Sequence, residues 1–320
     1  MGLRIEVLSG KEAENNEALN LFLRENATVF QQPGFLMAVG SDLQVAVAYE
    51  DDKIIGALPQ VITRKFGLKA SHIPSYGYTY GPVLAKEGVK DHYDLVSGML
   101  QSIKKYSLVE WKLLIPDNDI ITYNQLGANI VASQTHIVKH KPGFDPGSIH
   151  SSKRRYLKKL LKSLESGEII LKEGKECKDD LLWLQAETGK KSGFNSSQSV
   201  LKKIMDSLND EQAYALVLST PDGKPLSGAY CPYDTYSAYH LVNASVNHED
   251  NLLNRSNILA TYLAINKAME LGLNFDFEGS NIPGVANYYR LMGGEPTLMY
   301  RIQIPNSMLG KAFFAAMHLK

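Results

Sequence analysis

Residues 275 to 294, FDFEGSNIPGVANYYRLMGG, place two acids, a Gly-Ser pair, two tyrosines and an arginine within one short stretch. Asp276 and Glu278 alternate with phenylalanines, which is the pattern of a strand with one buried and one open face. Apolar residues at near-helical spacing follow from Val285 to Met292, and a double glycine then favours a helix end. Acids at the end of a strand, beside a loop that opens a helix, lie where α/β proteins commonly bind ligands. The stretch therefore predicts a ligand site.

A second stretch, SSKRRYLKKLLKSLESG, starts at residue 151 and predicts an amphipathic helix, because its apolar residues form one stripe. The opposite face carries six cations without an intervening acid: Lys153, Arg154, Arg155, Lys158, Lys159 and Lys162. Such a density of positive charge can hold phosphates or the backbone of an RNA. A solvated helix face is the alternative interpretation. Arg154 and Arg155, nearest the helix start, are the favoured phosphate ligands.

Two further stretches are rich in tyrosine. PSYGYTYGPVL, from residue 74, puts phenols on one side of an extended strand, where Tyr78 and Tyr80 suit a pocket for a polar organic substrate. An aromatic ladder that stabilises a sheet is the alternative. YCPYDTYSAYHLVNASVN, from residue 230, predicts a strand whose His240 and Asn243 can line a cleft. Histidine titrates near neutrality, so His240 is either a general base or a structural residue.

Length and composition limit the classes of protein to which the chain can belong. The chain has 320 residues, 44% of them hydrophobic, which is enough for two globular domains. Lys plus Arg equals Asp plus Glu at 34 each, so no net charge directs the protein to DNA or to a membrane. Its two cysteines are far apart and lack metal-ligand spacing, which favours a reducing compartment. No apolar run approaches the roughly 20 residues that span a bilayer, and no signal peptide is evident. We expect a cytoplasmic protein.

Several catalytic signatures are missing from the sequence. It contains no Ser/His/Asp order, no HExxH, no Walker loop and no glycine signature for dinucleotides. Hydrolase, metalloenzyme and nucleoside-triphosphatase functions are therefore disfavoured, and we expect neither a bound metal nor a permanently bound cofactor.

The elements that must position these residues occur twice along the chain. Residues 43–62 and 214–232 each read as a β-hairpin around an acidic turn. Helical segments lie upstream of both hairpins (12–25 and 178–207), and downstream of each comes a helix followed by a strand (88–106 with 108–115, and 256–271 with 273–278). The self-similarity indicates two related α/β lobes rather than a solenoid. A segment rich in proline and glycine, KHKPGFDPGSIHSS, predicts the boundary, so that the domains are residues 1–145 and 146–320.

The chain resembles the GNAT-fold acyltransferases, in particular the double-GNAT proteins related to the Fem-type peptidoglycan aminoacyltransferases. Four stretches carry the resemblance: FQQPGFLMAVG, SYGYTYGPVL, the KRRYLKK helix and FDFEGSNIPGVANYYRLMGG. It implies an α/β (α+β) protein of two tandem GNAT-like lobes, each a mixed, mostly antiparallel sheet flanked by helices. It also implies an active site in the second lobe.

The resemblance implies roles for residues of the opening stretch. GNAT enzymes move an acyl group from a thioester to an amine, and a tyrosine a few residues before a glycine commonly protonates the leaving thiolate, a place that Tyr289 fills better than Tyr288. Asp276 or Glu278 would be the base or an amine-binding carboxylate, with a structural acid as the alternative for Glu278. Further substrate ligands would be Tyr78, Tyr80, His240, Asn243, Ser280 and Arg290.

A different stretch of the sequence bears on the donor. The nearest match to the pyrophosphate loop of GNAT enzymes is Arg255-Ser-Asn-Ile258-Leu-Ala260, in which isoleucine stands where those enzymes have a glycine. Arg255 and Asn257 would bind the donor phosphates, together with Arg154 and Arg155. Acetyl-CoA or another acyl-CoA is the expected co-substrate, and the acceptor is a small-molecule or cell-wall precursor amine of envelope or polysaccharide metabolism. The alternatives are a Fem-like enzyme that takes its acyl group from an aminoacyl-tRNA, and a non-catalytic binding protein that retains the fold.

Overall fold

A computed structural model describes most of the chain. The described residues are 3–40, 42–65, 68–71, 76, 79–85, 92–103, 106–114, 120–192, 197–279, 282–305 and 307–312. The chain divides into two compact units: unit 1 comprises Met1–Ser133 and Leu298–Lys320, and unit 2 comprises Gln134–Thr297. The domain boundary expected at residues 145 and 146 stays a prediction.

Strands and helices are interspersed along the described part of the chain. The first half contains β1 (Arg4–Ser9), α1 (Gly10–Glu14), α2 (Glu17–Asn26), α3 (Pro33–Val39), β2 (Leu43–Glu50), β3 (Lys53–Lys65), β4 (Leu68–Ser71), β5 (Val83–Leu84), α4 (His92–Ser102), β6 (Leu108–Leu114), α5 (Ile120–Gln125) and β7 (Asn129–Val138). The second half contains α6 (Ser151–Glu165), β8 (Ile170–Glu173), α7 (Lys178–Ser192), α8 (Gln198–Ser207), β9 (Ala213–Ser219), β10 (Pro225–Pro232), β11 (Ser237–Tyr239), β12 (Val242–Ser245), α9 (Ser256–Glu270), β13 (Asn274–Asp276), α10 (Pro283–Leu291) and β14 (Glu295–Pro305). No helix in the described part of the chain combines the length and the apolar character needed to cross a membrane.

Unit 1 contains a mixed sheet that is mostly antiparallel. Strands β1, β2 and β3 pair in sequence, and the turn between β2 and β3 holds Asp51 and Asp52 at φ of 49° and 63°. Aspartate tolerates this left-handed region better than most residues do. Strand β4 pairs antiparallel with β3 and parallel with β6, and β6 pairs antiparallel with β14.

Helix α4 supplies much of the core of unit 1. Leu95, Val96 and Met99 on this helix are buried in one apolar cluster with Trp111 of β6. The Trp111 indole N–H donates to Gln60 Oε1 at 3.0 Å, so its polar atom is satisfied inside the core.

Unit 2 contains two groups of strands. One is a four-stranded antiparallel sheet in the order β12-β10-β9-β8. In the other, β13 pairs antiparallel with β7 and parallel with β11. Helix α9 contacts β10 and α6, and its residues Ile258, Leu259 and Ala264 lie fully inside the apolar core. A helix that is buried on this scale needs apolar residues on more than one face, and the sequence of α9 provides them.

Most of the elements expected from the sequence are present. Both β-hairpins form, and helices α4, α6 and α9 and strands β6 and β13 lie within the predicted segments.

One expectation was wrong: residues 74–84 are not one extended strand. Only Val83–Leu84 form a strand in the described part of this stretch, Tyr76 has a φ of 55°, and Tyr80 forms an isolated bridge with Lys112. The glycines that separate the tyrosines favour such irregular backbone.

The inner glycine of the second hairpin gives a test of core packing in unit 2. A Cβ at Gly228 would lie 2.8 Å from Leu181 Cδ2 and 2.8 Å from the Leu216 carbonyl oxygen. Because a backbone atom cannot move aside cheaply, we expect Gly228→Ala to lower the free energy of unfolding by about 1–3 kcal/mol. Chemical denaturation measures this loss. The matched control is Gly56→Ala, whose Cβ meets only flexible side chains at 3.4 Å; an equal loss in both variants would contradict the explanation.

Candidate functional site

The site begins where two strands of unit 2 separate. Strand β11 pairs with β13 through Tyr239 and Asp276, and the backbone N–H of His240 then donates to the Asp276 carbonyl at 2.8 Å. Beyond this bond β12 pairs with β10, whereas the Phe277 N–H turns to β7 and donates to the His136 carbonyl at 3.0 Å. The two backbones therefore diverge, which opens a cleft whose β12 edge faces no other strand in the described part of unit 2. Backbone groups along such an edge can pair with amides of a ligand.

This separation corrects one expectation. Residues 236–243 were expected to form one continuous strand, but the structure interrupts it at His240 and Leu241. The Leu241 N–H donates to the Tyr239 carbonyl at 2.8 Å, a tight local bond that is incompatible with a regular strand. The His240 ring is buried, with its centroid 5.1 Å from that of Phe275 and 5.7 Å from that of Phe277. Asn243 lies on β12 opposite Ala229 and is half-buried.

Two acids lie at the end of β13, in different circumstances. Asp276 is 2% exposed, and its Oδ1 accepts hydrogen bonds from the Thr135 hydroxyl and from the Glu278 N–H, the latter at 2.8 Å. Glu278 is 8% exposed and has a φ of 63°, a left-handed conformation that is uncommon for glutamate. Asp276 thus fixes the backbone of the turn, and Glu278 carries strain of the kind that clusters at functional sites.

The two tyrosines of α10 differ in how their hydroxyls are used. The Tyr288 hydroxyl bonds to Thr261 Oγ1 at 2.9 Å and donates to the Asn257 carbonyl at 3.2 Å. The Tyr289 ring stacks on Phe277 at 4.4 Å, and its hydroxyl makes no hydrogen bond within the described residues. Burial, together with the charges of Glu278 and Asp276, raises the pKa of Tyr289 to about 12. Tyr289 therefore stays protonated at neutral pH with a hydroxyl available to a ligand.

Cations gather where the first turns of α6 and α9 meet. The Arg255 guanidinium lies over the Tyr156 ring at 4.4 Å, with Arg155 at 5.3 Å from the same ring, and Lys153 Nζ lies 5.3 Å from the Tyr288 ring. Burial and the charge of Arg255 lower the pKa of Lys153.

No carboxylate pairs with these cations inside the described ranges, and neither first turn carries an acid. Arg154 differs, because its Nη1 donates to the Gly147 carbonyl at 3.0 Å. Ile258, which replaces the glycine of the pyrophosphate loop, is 1% exposed and directed into the core. An unpaired cation cluster beside an uncapped helix start suits an anion.

The remaining predicted residues are distributed over both units. Tyr80, in unit 1, is buried with its ring stacked on Phe30 at 5.6 Å. Arg290 is exposed in the last turn of α10. Tyr78 and Ser280 lie outside the described residues. The assignments of substrate and donor ligands to individual residues stay predictions.

Two residues of β7 were missed by the sequence reasoning. Thr135 binds Asp276, and His136 is fully buried with its ring centroid 5.8 Å from that of Tyr289. The signal in the sequence was the pair Thr135-His136 within SQTHIV, where two polar residues precede the apolar Ile137 and Val138. Nothing local distinguishes this pair from a solvent-facing edge, because its partners lie about 140 residues further along the chain.

The fold is similar to that of several solved structures. FemX shares 13% identity at a TM-score of 0.67, covering 93% of this chain and 96% of that one. L-PGS from Bacillus licheniformis shares 14% at 0.60, covering 96% of each chain. A tandem GNAT protein from the clavulanic acid biosynthesis pathway shares 9% at 0.54, covering 96% and 99%. No protein-family model and no curated protein matches the sequence.

These similarities show the fold. The chain has a double GNAT-like fold related to that of Fem-type proteins, as its sequence predicted. The similarity extends over nearly the whole chain, so the fold prediction is confirmed for both halves of the sequence.

The left-handed conformation of Glu278 gives a test of stored strain. Glycine adopts positive φ without the steric cost of a Cβ, so we expect Glu278→Gly to be more stable than Glu278→Ala by about 1 kcal/mol. Both variants lose the same interactions of the glutamate side chain, so the difference between their stabilities reports the strain of the backbone. Denaturant unfolding of the two proteins measures it. At Glu173, on strand β8, we expect the opposite order, with Glu173→Ala more stable than Glu173→Gly. If Glu278→Ala is also more stable than Glu278→Gly, the strain at Glu278 is contradicted.

The buried His240 gives a test of pH dependence. Burial lowers the pKa of His240 to about 3, whereas the unfolded chain binds this proton near pH ~6.5. The unfolded state thus binds more protons between these values, so stability falls as the pH falls through this window. We expect this residue to account for roughly 2 kcal/mol lost between about pH 6.5 and about pH 5. Over this pH window, we expect the denaturant midpoint of His240→Phe to fall less than that of wild type. The midpoint of the control His140→Phe, which replaces an exposed histidine, should fall as much as that of wild type. Equal falls in the two variants would refute the assignment to His240.

Proposed function

We propose that the protein is an N-acyltransferase that moves an acyl group from an activated donor to an amine. The observation that carries the proposal is the cleft where β12 diverges from β13, because Glu278 follows the point of divergence in sequence and its charge acts on Tyr289. A carboxylate and a protonated phenol at one cleft are the acid–base pair that aminolysis of a thioester needs. The double GNAT-like fold supports this class of reaction by analogy.

Glu278 is the proposed base. The attacking amine must lose a proton as its nitrogen forms a bond to the acyl carbon, and the carboxylate of Glu278 is the proposed acceptor of that proton. Asp276 is the alternative base from the sequence. Its Oδ1 accepts hydrogen bonds from the Thr135 hydroxyl and from the Glu278 N–H. We therefore assign to Asp276 the role of holding Glu278 in place.

Tyr289 is the proposed acid. As the bond between the acyl carbon and sulfur breaks, the thiolate takes the phenolic proton. Burial, together with the charges of Glu278 and Asp276, raises the pKa of Tyr289, so the proton stays on the phenol until the leaving group forms. Tyr288 is unsuited to this role, since its hydroxyl is engaged by Thr261 and Asn257.

The donor is proposed to bind through phosphates at the cation cluster of Lys153, Arg155 and Arg255. An acyl-CoA such as acetyl-CoA fits, since its phosphates would meet the first turn of α9 while its amides pair with the β12 edge. Among the similar proteins, the structure of the tandem GNAT protein was determined without AcCoA.

A second candidate donor is an aminoacyl-tRNA. The observation that favours it is the row of exposed cations Arg155, Lys158, Lys159 and Lys162, which extends along α6 beyond the space that two phosphates occupy. FemX and L-PGS are among the similar structures. For either donor, an amine of cell-envelope or polysaccharide metabolism is the proposed acceptor.

Calorimetric titration of the whole protein with acetyl-CoA and with CoA, at low and at moderate salt, tests the donor first. We expect micromolar binding that weakens about 10-fold or less with salt, because only a few phosphates are involved. No binding of acetyl-CoA, with salt-sensitive binding of tRNA instead, would overturn the thioester proposal. If neither binds, a binding protein without chemistry is indicated.

Substitutions test the catalytic roles once an accepted amine is found by thiol release. We expect Glu278→Gln and Tyr289→Phe each to lower kcat by about 100-fold or more, within the range that general acid–base groups contribute. Affinity for acetyl-CoA should stay unchanged. Tyr233→Phe is the control, because it removes a phenol that bonds only to the Asp210 carbonyl. Undiminished turnover in either variant would remove that residue from the site.

A further inference from the structure

His136 has unused hydrogen-bonding capacity in the interior of unit 2. The residue is 0% exposed, and neither ring nitrogen has a hydrogen-bond partner in the described part of the chain. An unsatisfied polar group in the interior is costly, so native proteins seldom retain one without a use. The sheet register puts the residue beside β13, since its carbonyl accepts the Phe277 N–H.

The His136 ring contacts a titratable ring, that of Tyr289, the proposed acid. The two rings meet edge to face with centroids 5.8 Å apart. Phe277 stacks on the other side of Tyr289 at 4.4 Å, which leaves the tyrosine little freedom to move away from the histidine. Tyr289 likewise has a hydroxyl without a partner within the described residues. Two neighbouring side chains thus keep three polar atoms unbonded in a largely apolar setting.

Gly294 makes this approach possible. A Cβ at Gly294 would lie 3.0 Å from Phe277 Cε2 and 3.1 Å from His136 Cβ, closer than side chains ordinarily pack. The second glycine of the LMGG sequence therefore admits the histidine and the phenylalanine to the same small space beside α10.

Charges around the pair favour a neutral histidine. Burial and the positive charge of Arg290, on α10, lower the pKa of His136. On the β13 side, Asp276 and Glu278 act on Tyr289. A neutral imidazole has one nitrogen that donates and one that accepts, which is the requirement for passing a proton without becoming charged.

We propose that His136 is a positioning residue and proton partner of Tyr289. The inference rests on the proposed function, because it completes the proton cycle of that reaction. When Tyr289 has given its proton to the leaving thiolate, a phenolate remains beside two carboxylates. One nitrogen of His136 returns a hydrogen to the phenolate, directly or through a water, while the other nitrogen accepts the proton that Glu278 took from the amine. The net result is thioester plus amine to amide plus thiol. Glu278 and Tyr289 are restored, and His136 is left in its other neutral tautomer, which proton exchange with water resets before the next turnover.

Nitrogen NMR of the histidine rings tests the coupling without any substrate. The whole chain, with its eight histidines labelled with nitrogen-15, is titrated with acid as wild type, Tyr289→Phe and Tyr233→Phe. His136→Gln assigns the resonance, and His136→Asn replaces it if that variant does not fold. In wild type we expect His136 in one neutral tautomer at neutral pH. In Tyr289→Phe, but not in Tyr233→Phe, the nitrogen-15 signals of His136 should change more than those of any other histidine. Phenylalanine preserves the ring contact, so unchanged His136 signals in that variant would overturn the proposal.

Kinetics separate this inference from the proposed function. With acetyl-CoA and an accepted amine, we expect His136→Gln to lower kcat about 10-fold or more, to leave KM for acetyl-CoA within about 2-fold, and to flatten the acid limb of the pH profile. A parallel fall in acetyl-CoA affinity and melting temperature would assign His136 a structural role instead. If acetyl-CoA neither binds nor turns over, the donor proposal fails, and the NMR comparison still decides whether the two side chains are coupled.

Discussion

The site depends on one hydrogen bond, the one from the His240 N–H to the Asp276 carbonyl, because it is the last that joins β11 to β13. Up to this bond the two strands satisfy one another. After it each finds another partner, β12 in β10 and the residues following Asp276 in β7. A sheet cannot leave many backbone groups unpaired in its interior, so the divergence creates an edge that water or a ligand must satisfy. The cleft is thus a consequence of strand pairing, and it needs no special loop.

The polar groups at the cleft have divided tasks because their surroundings differ. Asp276 is enclosed and bonded to Thr135, so it acts on the backbone of the turn, while Glu278 is held at a positive φ. The Phe277 ring, which lies between the two acids in sequence, stacks on Tyr289. Charges in such apolar surroundings interact strongly, which is why carboxylates that are not bonded to Tyr289 still raise its pKa. The end of β13 therefore lies close enough to the Tyr289 phenol for the charges of two carboxylates to act on it.

The local features of the chain were predictable from sequence. The two hairpins around acidic turns, the amphipathic helix α6 and the strand–loop–helix unit after residue 275 follow from periodicity, turn residues and glycines, all of which act over a few neighbouring residues. The tyrosine-rich stretch from residue 74 was misjudged, because alternation suggested a strand where glycines allow irregular backbone. The strand break at His240 also escaped prediction, since the residues of β11 and β12 alternate without interruption.

The sequence by itself determined that this is a two-part α/β protein with acids and tyrosines gathered near residue 280 and cations near residue 154. It favoured Tyr289 over Tyr288 only through the family resemblance, and it left Asp276 and Glu278 as alternative bases, because the members of each pair are equivalent in type and nearly so in position. The tertiary structure shows that the members of each pair have different surroundings, through partners remote in sequence: Thr261 bonds to Tyr288, and Thr135 bonds to Asp276. Local pattern fixes which face a side chain can occupy, whereas the availability of its polar atoms depends on what the rest of the chain packs against it.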